Sequence, residues 1–233
     1  MRSDLHNALL LFDKPVGWTS FDVVNKVRKL IKTKVGHAGT LDPLASGLLL
    51  LCTGGRCKSI EELKGLDKEY TGTLVLGSVT ESYDLETPPM PSGPYDHLTE
   101  SDLKQVINRT EELLWQLPPM YSAKYHKGKR LYQLARAGKE AERLPQQVML
   151  HRAELLEVRL PEVRFRLVCS KGFYVRSWVH DLGQQLGCGA YLKALQRTRV
   201  GPYLLNDAWQ ITDFVNFVRG TAHDRTPSAG TAC

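Results

Sequence analysis

The apolar positions of this chain fall into two rhythms, one with the period of a strand and one with that of a helix, and the two do not take turns regularly. The stretch "ALLLFDKPVGW" predicts a short buried strand ending at Pro15 and Gly17. A helix should follow, because Thr19 and Asp22 form a variant capping box and Val23, Val27, Leu30 and Ile31 make one apolar stripe. After a glycine-rich loop, Leu48–Cys52 is an apolar run of strand length. "KSIEELKGL" reads as a short helix closed at Gly65, and "KEYTGTLVLGSVT" alternates so that Tyr70, Gly72, Leu74 and Leu76 share one face. The proline-rich residues 86–98 read as a surface loop, and Thr99 with Asp102 starts a helix running to Ile107. "RLYQLARAGKEAER" predicts a short helix stopped at Gly138, and "QQVMLHRAELLEVRL" and "VRFRLVCSKG" alternate as strands. Arg176 to Leu186 presents Val179, Leu182 and Leu186 on one helical face, with Gly187 suited to the C-terminal cap. A strand near Leu195–Leu205, a short helix near Ile211–Val218 and a polar, disordered tail over 220–233 complete the expectation. Such mixing argues for α+β, with a mixed, largely antiparallel sheet flanked by helices, over a doubly wound fold.

Composition changes this picture in one respect. The 233 residues are 42% hydrophobic, enough for a sizeable core, expected as one domain over 1–219. With 31 Lys+Arg against 25 Asp+Glu the formal charge is +6, which favours an anionic partner without identifying it. The charge is local, since between Ser122 and Arg143 seven cations face two anions and supply +5 of the +6. Five cysteines, none in a close C-x-x-C pair, read as reduced thiols. The N-terminus lacks the apolar length of a signal peptide and no run is long enough to span a bilayer. A cytoplasmic protein without membrane contact, and a monomer, is expected.

Candidate chemistry gathers in three places. Asp42 stands in "TLDPL", where Pro43 pushes it toward extended geometry and Gly39 and Gly47 allow tight reversals on either side. Asp-Pro alone is turn chemistry, and His37 in "GHAG" alone is an ordinary histidine. No second ligand stands at metal spacing around His37, so no metal is expected, and "CTGGRCKS" lacks the spacing of a phosphate loop. In "KGFYVRSW", Arg176 at a helix start opposes the helix dipole, which a carboxylate or phosphate partner would explain. Tyr70 in "DKEYTG" fits a strand core as well as a catalytic role.

Together, "LLLFDKPVGWTSFDVV", "KVGHAGTLDPLASGLLLLCTG", "LDKEYTGTLVLGSVTESYD", "PPMYSAKYHKGKRLYQLAR" and "GFYVRSWVHDLGQQLG", in that order, closely resemble the TruB-type tRNA pseudouridine-55 synthases. The resemblance runs from about Leu9 to Phe214 and implies the pseudouridine synthase fold and isomerisation of a T-loop uridine of tRNA without metal or organic cofactor. By matching positions it makes Asp42 the catalytic aspartate, Tyr70 the tyrosine that stacks on the target base and takes part in proton transfer, and Arg176 the arginine paired with the aspartate. It also implies that Lys14 supports the site, that Lys58 is a recurrent lysine after the strand, that His37 fills space vacated by flipped nucleotides, and that Leu195 lies in the base pocket. Lys124, Lys127, Lys129 and Arg130, in the basic insertion at about 122–143, are expected on phosphates of the T stem-loop.

The chemistry is consistent with these roles. Breaking the C1′–N1 bond and forming C1′–C5 needs one nucleophile and no external reactant, whether it attacks the sugar or the base. A guanidinium opposes the rise in carboxylate pKa that burial causes, and planar groups offset the few kcal/mol lost on unstacking the nucleotide. Many members of the family continue into a PUA domain that the tail "RGTAHDRTPSAGTAC" cannot form, so a short form is expected. The rival reading is an RNA-binding or tRNA-folding module without chemistry, which has no need of an aimed carboxylate. A glycosidase or phosphohydrolase would need a paired carboxylate or metal set that Asp42 lacks in sequence.

Overall fold

The structure, a computed structural model, describes residues 3–122, 124–126 and 128–220. Thirteen strands are described: β1 Leu9–Lys14, β2 Val35–Ala38, β3 Ser46–Thr53, β4 Lys68–Leu76, β5 Ser78–Val79, β6 Met90–Pro91, β7 Arg109–Gln116, β8 Tyr125–His126, β9 Lys129–Arg130, β10 Gln146–Arg159, β11 Glu162–Cys169, β12 Ala190–Val200 and β13 Tyr203–Leu204. The α-helices are α1 Ser20–Ile31, α2 Ile60–Gly65, α3 Glu100–Ile107, α4 Leu131–Arg136, α5 Val175–Gln185 and α6 Ile211–Arg219. The main sheet has the order β1-β3-β12-β4-β11-β10-β7, with β2 on β3 and β13 on β12. The β1–β3, β2–β3, β10–β11, β10–β7 and β12–β13 pairs are antiparallel, and β12 runs parallel to β3. The mixed, largely antiparallel α+β expectation therefore holds. The chain forms two compact units, Met1–Tyr70 with Gln196–Cys233, and Thr71–Leu195, so that β4 and β12 each give residues to both.

In the first unit β3 is buried along almost its whole length, which explains why its sequence is a continuous apolar run. Leu49 and Leu51 face a cluster built from α1 (Val23, Val24, Val27, Ile31), β1 (Leu10, Phe12) and Phe214 of α6. Leu48, Leu50 and Cys52 face the other way, with Ala38, Leu63 of α2 and Val200. Thr19 caps α1, its hydroxyl accepting from the Asp22 N–H at 3.1 Å while the Asp22 carboxylate accepts from the Thr19 N–H at 2.8 Å. Phe214 packs edge-on against Phe12, ring centroids 4.9 Å apart.

In the second unit the inward residues of β10 and β11 (Val148, Leu150, Val163, Phe165, Leu167) are buried together with Leu103 and Ile107 of α3 and Trp178, Val179 and Leu182 of α5. Phe165 meets Trp178 edge-on at 5.0 Å, and a Cβ at Gly72 of β4 would lie 2.5 Å from the Phe165 ring.

Four segments depart from expectation. Val35–Ala38 is a strand, not loop, because pairing with β3 satisfies its backbone. Arg109–Gln116 is a sheet strand that sequence periodicity does not reveal. Met90–Pro91, inside the predicted loop 86–98, pairs with Ser78–Val79. The strand expected near Leu195–Leu205 begins at Ala190 and breaks at Gly201, whose φ is +53°. The tail from 221 lies outside the described residues.

Candidate active site

The loop carrying Asp42 is held by its own sequence neighbours. Gly39 and Gly47, at φ +90° and +100°, take backbone conformations closed to other residues at low cost. Ser20, the buried first residue of α1, accepts a hydrogen bond from the Leu41 N–H at 2.8 Å and donates to the Leu41 carbonyl at 3.1 Å. On the other side of Asp42, the Gly17 N–H donates to the Pro43 carbonyl at 2.8 Å, and the Ala45 N–H closes a turn onto the Asp42 carbonyl at 3.0 Å. The capping box that fixes the start of α1 thereby also fixes the direction in which the half-buried Asp42 is presented.

Two buried cations stand at the base of this loop. Gly47, the second residue of β3, lies between Lys14 of β1 and Arg197 of β12, each its register partner. A Cβ on Gly47 would lie 2.3 Å from the Arg197 carbonyl oxygen, so the parallel pairing needs glycine there. Arg197 is the largest fully buried side chain described, and its guanidinium donates from Nε to the Leu48 carbonyl at 2.7 Å and from Nη2 to the Gly39 carbonyl at 3.2 Å. One side chain thus ties both legs of the Asp42 loop. Lys14 is also fully buried, donating to the Pro15 and Trp18 carbonyls at 2.9 and 2.6 Å. Burial pushes its ammonium down to about 8, the charge of Asp42 pulls it back up, and Arg197 pushes it further down. Lys14 thus feels the charges of both Asp42 and Arg197.

His37 lies on β2 opposite Leu51, half-buried. Burial lowers its pKa first, the Gly39 backbone opposes, and the charges of Arg197 and Lys64 lower it further, so the ring is neutral at neutral pH. Its Nδ1 is buried without a hydrogen-bond partner among the described residues. A neutral planar ring of this kind suits stacking on a base. Tyr70 is buried on β4, in phase with Lys68, Gly72 and Leu74 as its alternation predicts. Lys58 is exposed in the 3-10 turn Gly54–Ser59 that follows the C-terminal end of β3, whereas Asp42 precedes its N-terminal end. An eight-residue strand separates them by on the order of 25 Å, and the structure does not bring Lys58 to the Asp42 loop.

In the second unit Arg176, in the first turn of α5, is 4% exposed and not a surface charge. Its Nε is 3.5 Å from the Asp84 carboxylate, Nη1 donates to the Ser82 carbonyl at 3.1 Å and Nη2 to the Tyr121 carbonyl at 2.9 Å. A carboxylate partner answers the helix-dipole conflict posed by the sequence. Asp84 is held in turn by a knot of short bonds: Ser82 Oγ donates to the Asp84 carbonyl at 3.0 Å, and the Glu86 N–H donates to Asp84 Oδ1 at 2.9 Å. Tyr83, at φ +63°, stacks on His180 of α5 with centroids 4.0 Å apart.

The basic segment forms the β8–β9 hairpin and α4. Lys129 is exposed, the Arg130 guanidinium lies 4.8 Å from the Tyr125 ring centre, and Lys124 donates to Gln146 Oε1 at 2.7 Å. Lys127 lies outside the described residues. Leu195 is half-buried on β12. Among the described residues no group of three or more His, Cys, Asp or Glu is placed to hold a metal ion.

Sequence reasoning missed Arg197 and Asp84. "QRTRV" reads as surface charge, and only the pairing of β12 with β3 turns Arg197 inward. Asp84 stands inside the recognised "TESYD" stretch, but nothing local marks it as the partner of a residue in a distant helix.

Residues 27–175 match the TruB family pseudouridylate synthase N-terminal domain, and residues 176–227 the tRNA pseudouridylate synthase B C-terminal domain. The chain belongs to the TruB family of pseudouridylate synthases. Among its relatives, tRNA pseudouridine synthase B of Chloroherpeton thalassium is 46% identical over 219 residues, covering 91% of this chain and 91% of the relative. The Flavobacterium johnsoniae protein of the same name is 44% identical over 218 residues, covering 90% and 95%. In a crystal structure of a Cbf5-Nop10-Gar1 complex, one chain superposes on 92% of this TruB-family chain with TM-score 0.73 and 27% identity. An H/ACA RNP bound to a substrate RNA containing 2′-deoxyuridine contains a chain with TM-score 0.68 and 26% identity over 91%. The TruB-family chain spans about half the length of these two solved chains, 55% and 53%.

Proposed function

We propose that the protein isomerises the uridine at position 55, in the T loop of tRNA, to pseudouridine, with Asp42 as the nucleophile. The observation that carries this reading is a carboxylate on a loop clamped at Leu41 and Pro43, with the fully buried Lys14 in the field of its charge and the fully buried Arg197 bonded to both legs of the loop. A binding module facing phosphates gains nothing from such an arrangement, because a presented carboxylate repels its ligand. An enzyme that must break C1′–N1 and make C1′–C5 within one nucleotide does gain, since one aimed nucleophile serves and only the C5 proton leaves. Relatives named tRNA pseudouridine synthase B support tRNA as the substrate.

In this proposal His37 and Tyr70 replace stacking lost when the uridine leaves the helix stack, Tyr70 takes part in the proton transfer, and Leu195 lines the base pocket. Arg176 pairs with Asp42, and the pairing belongs to the proposal. Lys124, Lys127, Lys129 and Arg130 contact phosphates, so that affinity falls with salt. The test is release of tritium from 5-tritiated uridine in a T-arm stem-loop. Wild type should release it and Asp42→Asn should not, while binding the RNA within a few-fold of wild type. Absence of release by wild type with RNA binding retained would favour the module that opens the T arm without chemistry.

A further inference from the structure

The loop that fixes Arg176 is joined to the basic segment by a closed ring of bonds. Starting at Arg176, the ring passes to Asp84 by the ion pair at 3.5 Å, and from Asp84 Oδ1 to the Glu86 N–H at 2.9 Å. The Glu86 carboxylate then accepts from two nitrogens of Arg136 at the end of α4, Nη2 at 2.6 Å and Nε at 3.0 Å. From α4 the Tyr132 N–H returns to the Ser122 carbonyl at 3.0 Å, and the neighbouring Tyr121 carbonyl accepts from Arg176 Nη2 at 2.9 Å. The Arg136 guanidinium is held over the Tyr132 ring at 5.4 Å, which limits its alternatives.

Glu86 occupies the critical place in this ring because both its ends are engaged, the side chain to α4 and the backbone to the carboxylate that holds Arg176. We propose that Glu86 and Arg136 form a latch by which the basic segment sets the position of Arg176, making Glu86 a positioning residue for the reaction. The inference rests on the reading that Arg176 serves the isomerisation. The latch links residues 50 apart in sequence and lies in the only described ion pair between α4 and the 80–87 loop. The Arg136 side chain is 61% exposed and that of Glu86 31%, so losing the pair should leave the fold intact. Capture of phosphates by the segment then acts on Arg176 through the ring, and without the latch the segment binds RNA but no longer steadies the loop.

The test is a charge swap. Glu86→Arg, Arg136→Glu and the double variant are compared with wild type for single-turnover tritium release from the T-arm stem-loop and for its Kd. Glu86→Arg should lower the single-turnover rate roughly two- to fivefold, the range an exposed pair supports, without weakening binding. Arg136→Glu should lower the rate at least as much, and the double variant should return to within about twofold of wild type. A double variant no faster than Arg136→Glu, or a Glu86→Arg variant at wild-type rate, overturns the latch. Amide exchange at Glu86 and Thr87 gives a readout independent of catalysis: protection should fall in each single variant and recover in the swap. If wild type releases no tritium, the isomerase reading fails, and amide protection alone decides whether the latch exists; protection unchanged by either single variant refutes it.

Discussion

Replacing Arg197 by methionine tests whether one buried guanidinium holds the Asp42 loop in place. The substitution removes the donors to the Leu48 carbonyl at 2.7 Å and the Gly39 carbonyl at 3.2 Å from a site with no exposure. Hydrogen bonds to a charged group contribute about 1.5–3 kcal/mol each, so the loss of two should be about 3–6 kcal/mol. For a chain of this size that lowers Tm by about 10 °C. Arg197→Lys, able to keep one of the two bonds, should lose about half as much. The effect on turnover should exceed the effect on affinity, because the loop legs at Gly39 and Leu48 bracket Asp42 and a displacement of about 1 Å in the nucleophile costs on the order of 10²-fold in rate. The assays are urea denaturation, single-turnover tritium release and Kd for the T-arm stem-loop. A third readout is electrostatic: Arg197 is one of the charges that lower the pKa of His37, so the His37 titration should move upward in Arg197→Met. A variant with wild-type stability, wild-type rate and an unmoved His37 would refute the fastening role.

Two other predictions follow from the same unit. Gly47→Ala places a Cβ 2.3 Å from backbone of Arg197 at a φ of +100°, and neither can yield without parting β3 from β12; the expected loss is about 3 kcal/mol or more, measured by urea denaturation, and a loss under about 1 kcal/mol would contradict the register. Lys14, whose folded pKa is lowered to about 8 from 10.5, loses its proton in the folded state before the unfolded one. Between about pH 8 and 10.5 the unfolded chain binds more protons at this site, so wild type should gain stability relative to Lys14→Met as pH rises through that window. Turnover should fall above about pH 8 as a positive charge disappears from beside Asp42, and a pH-independent stability difference between the two proteins would remove the premise.

The sequence by itself determined whatever depends on neighbours a few residues apart. The boxes Thr19/Asp22 and Thr99/Asp102 both form as read, because a capping side chain and its N–H are three residues apart. The phase of β4 is readable for the same reason, alternation being a property of the strand itself. The Asp42 loop was visible as a proline following a carboxylate between two glycines that need positive φ. The family motifs named Asp42, Tyr70 and Arg176 without showing what surrounds them. Tertiary structure alone decided the surroundings. Val35–Ala38 has no strand pattern of its own and becomes one only on β3, and "RTEELLWQ" is a strand only because β10 pairs with it. Arg197 is set against Leu48 across 149 positions of sequence, and Arg176 against Ser82 across 94. Such pairs carry no local signature, because a charged side chain is compatible with solvent anywhere along the chain, and its burial is settled only by which strands and loops fold against it.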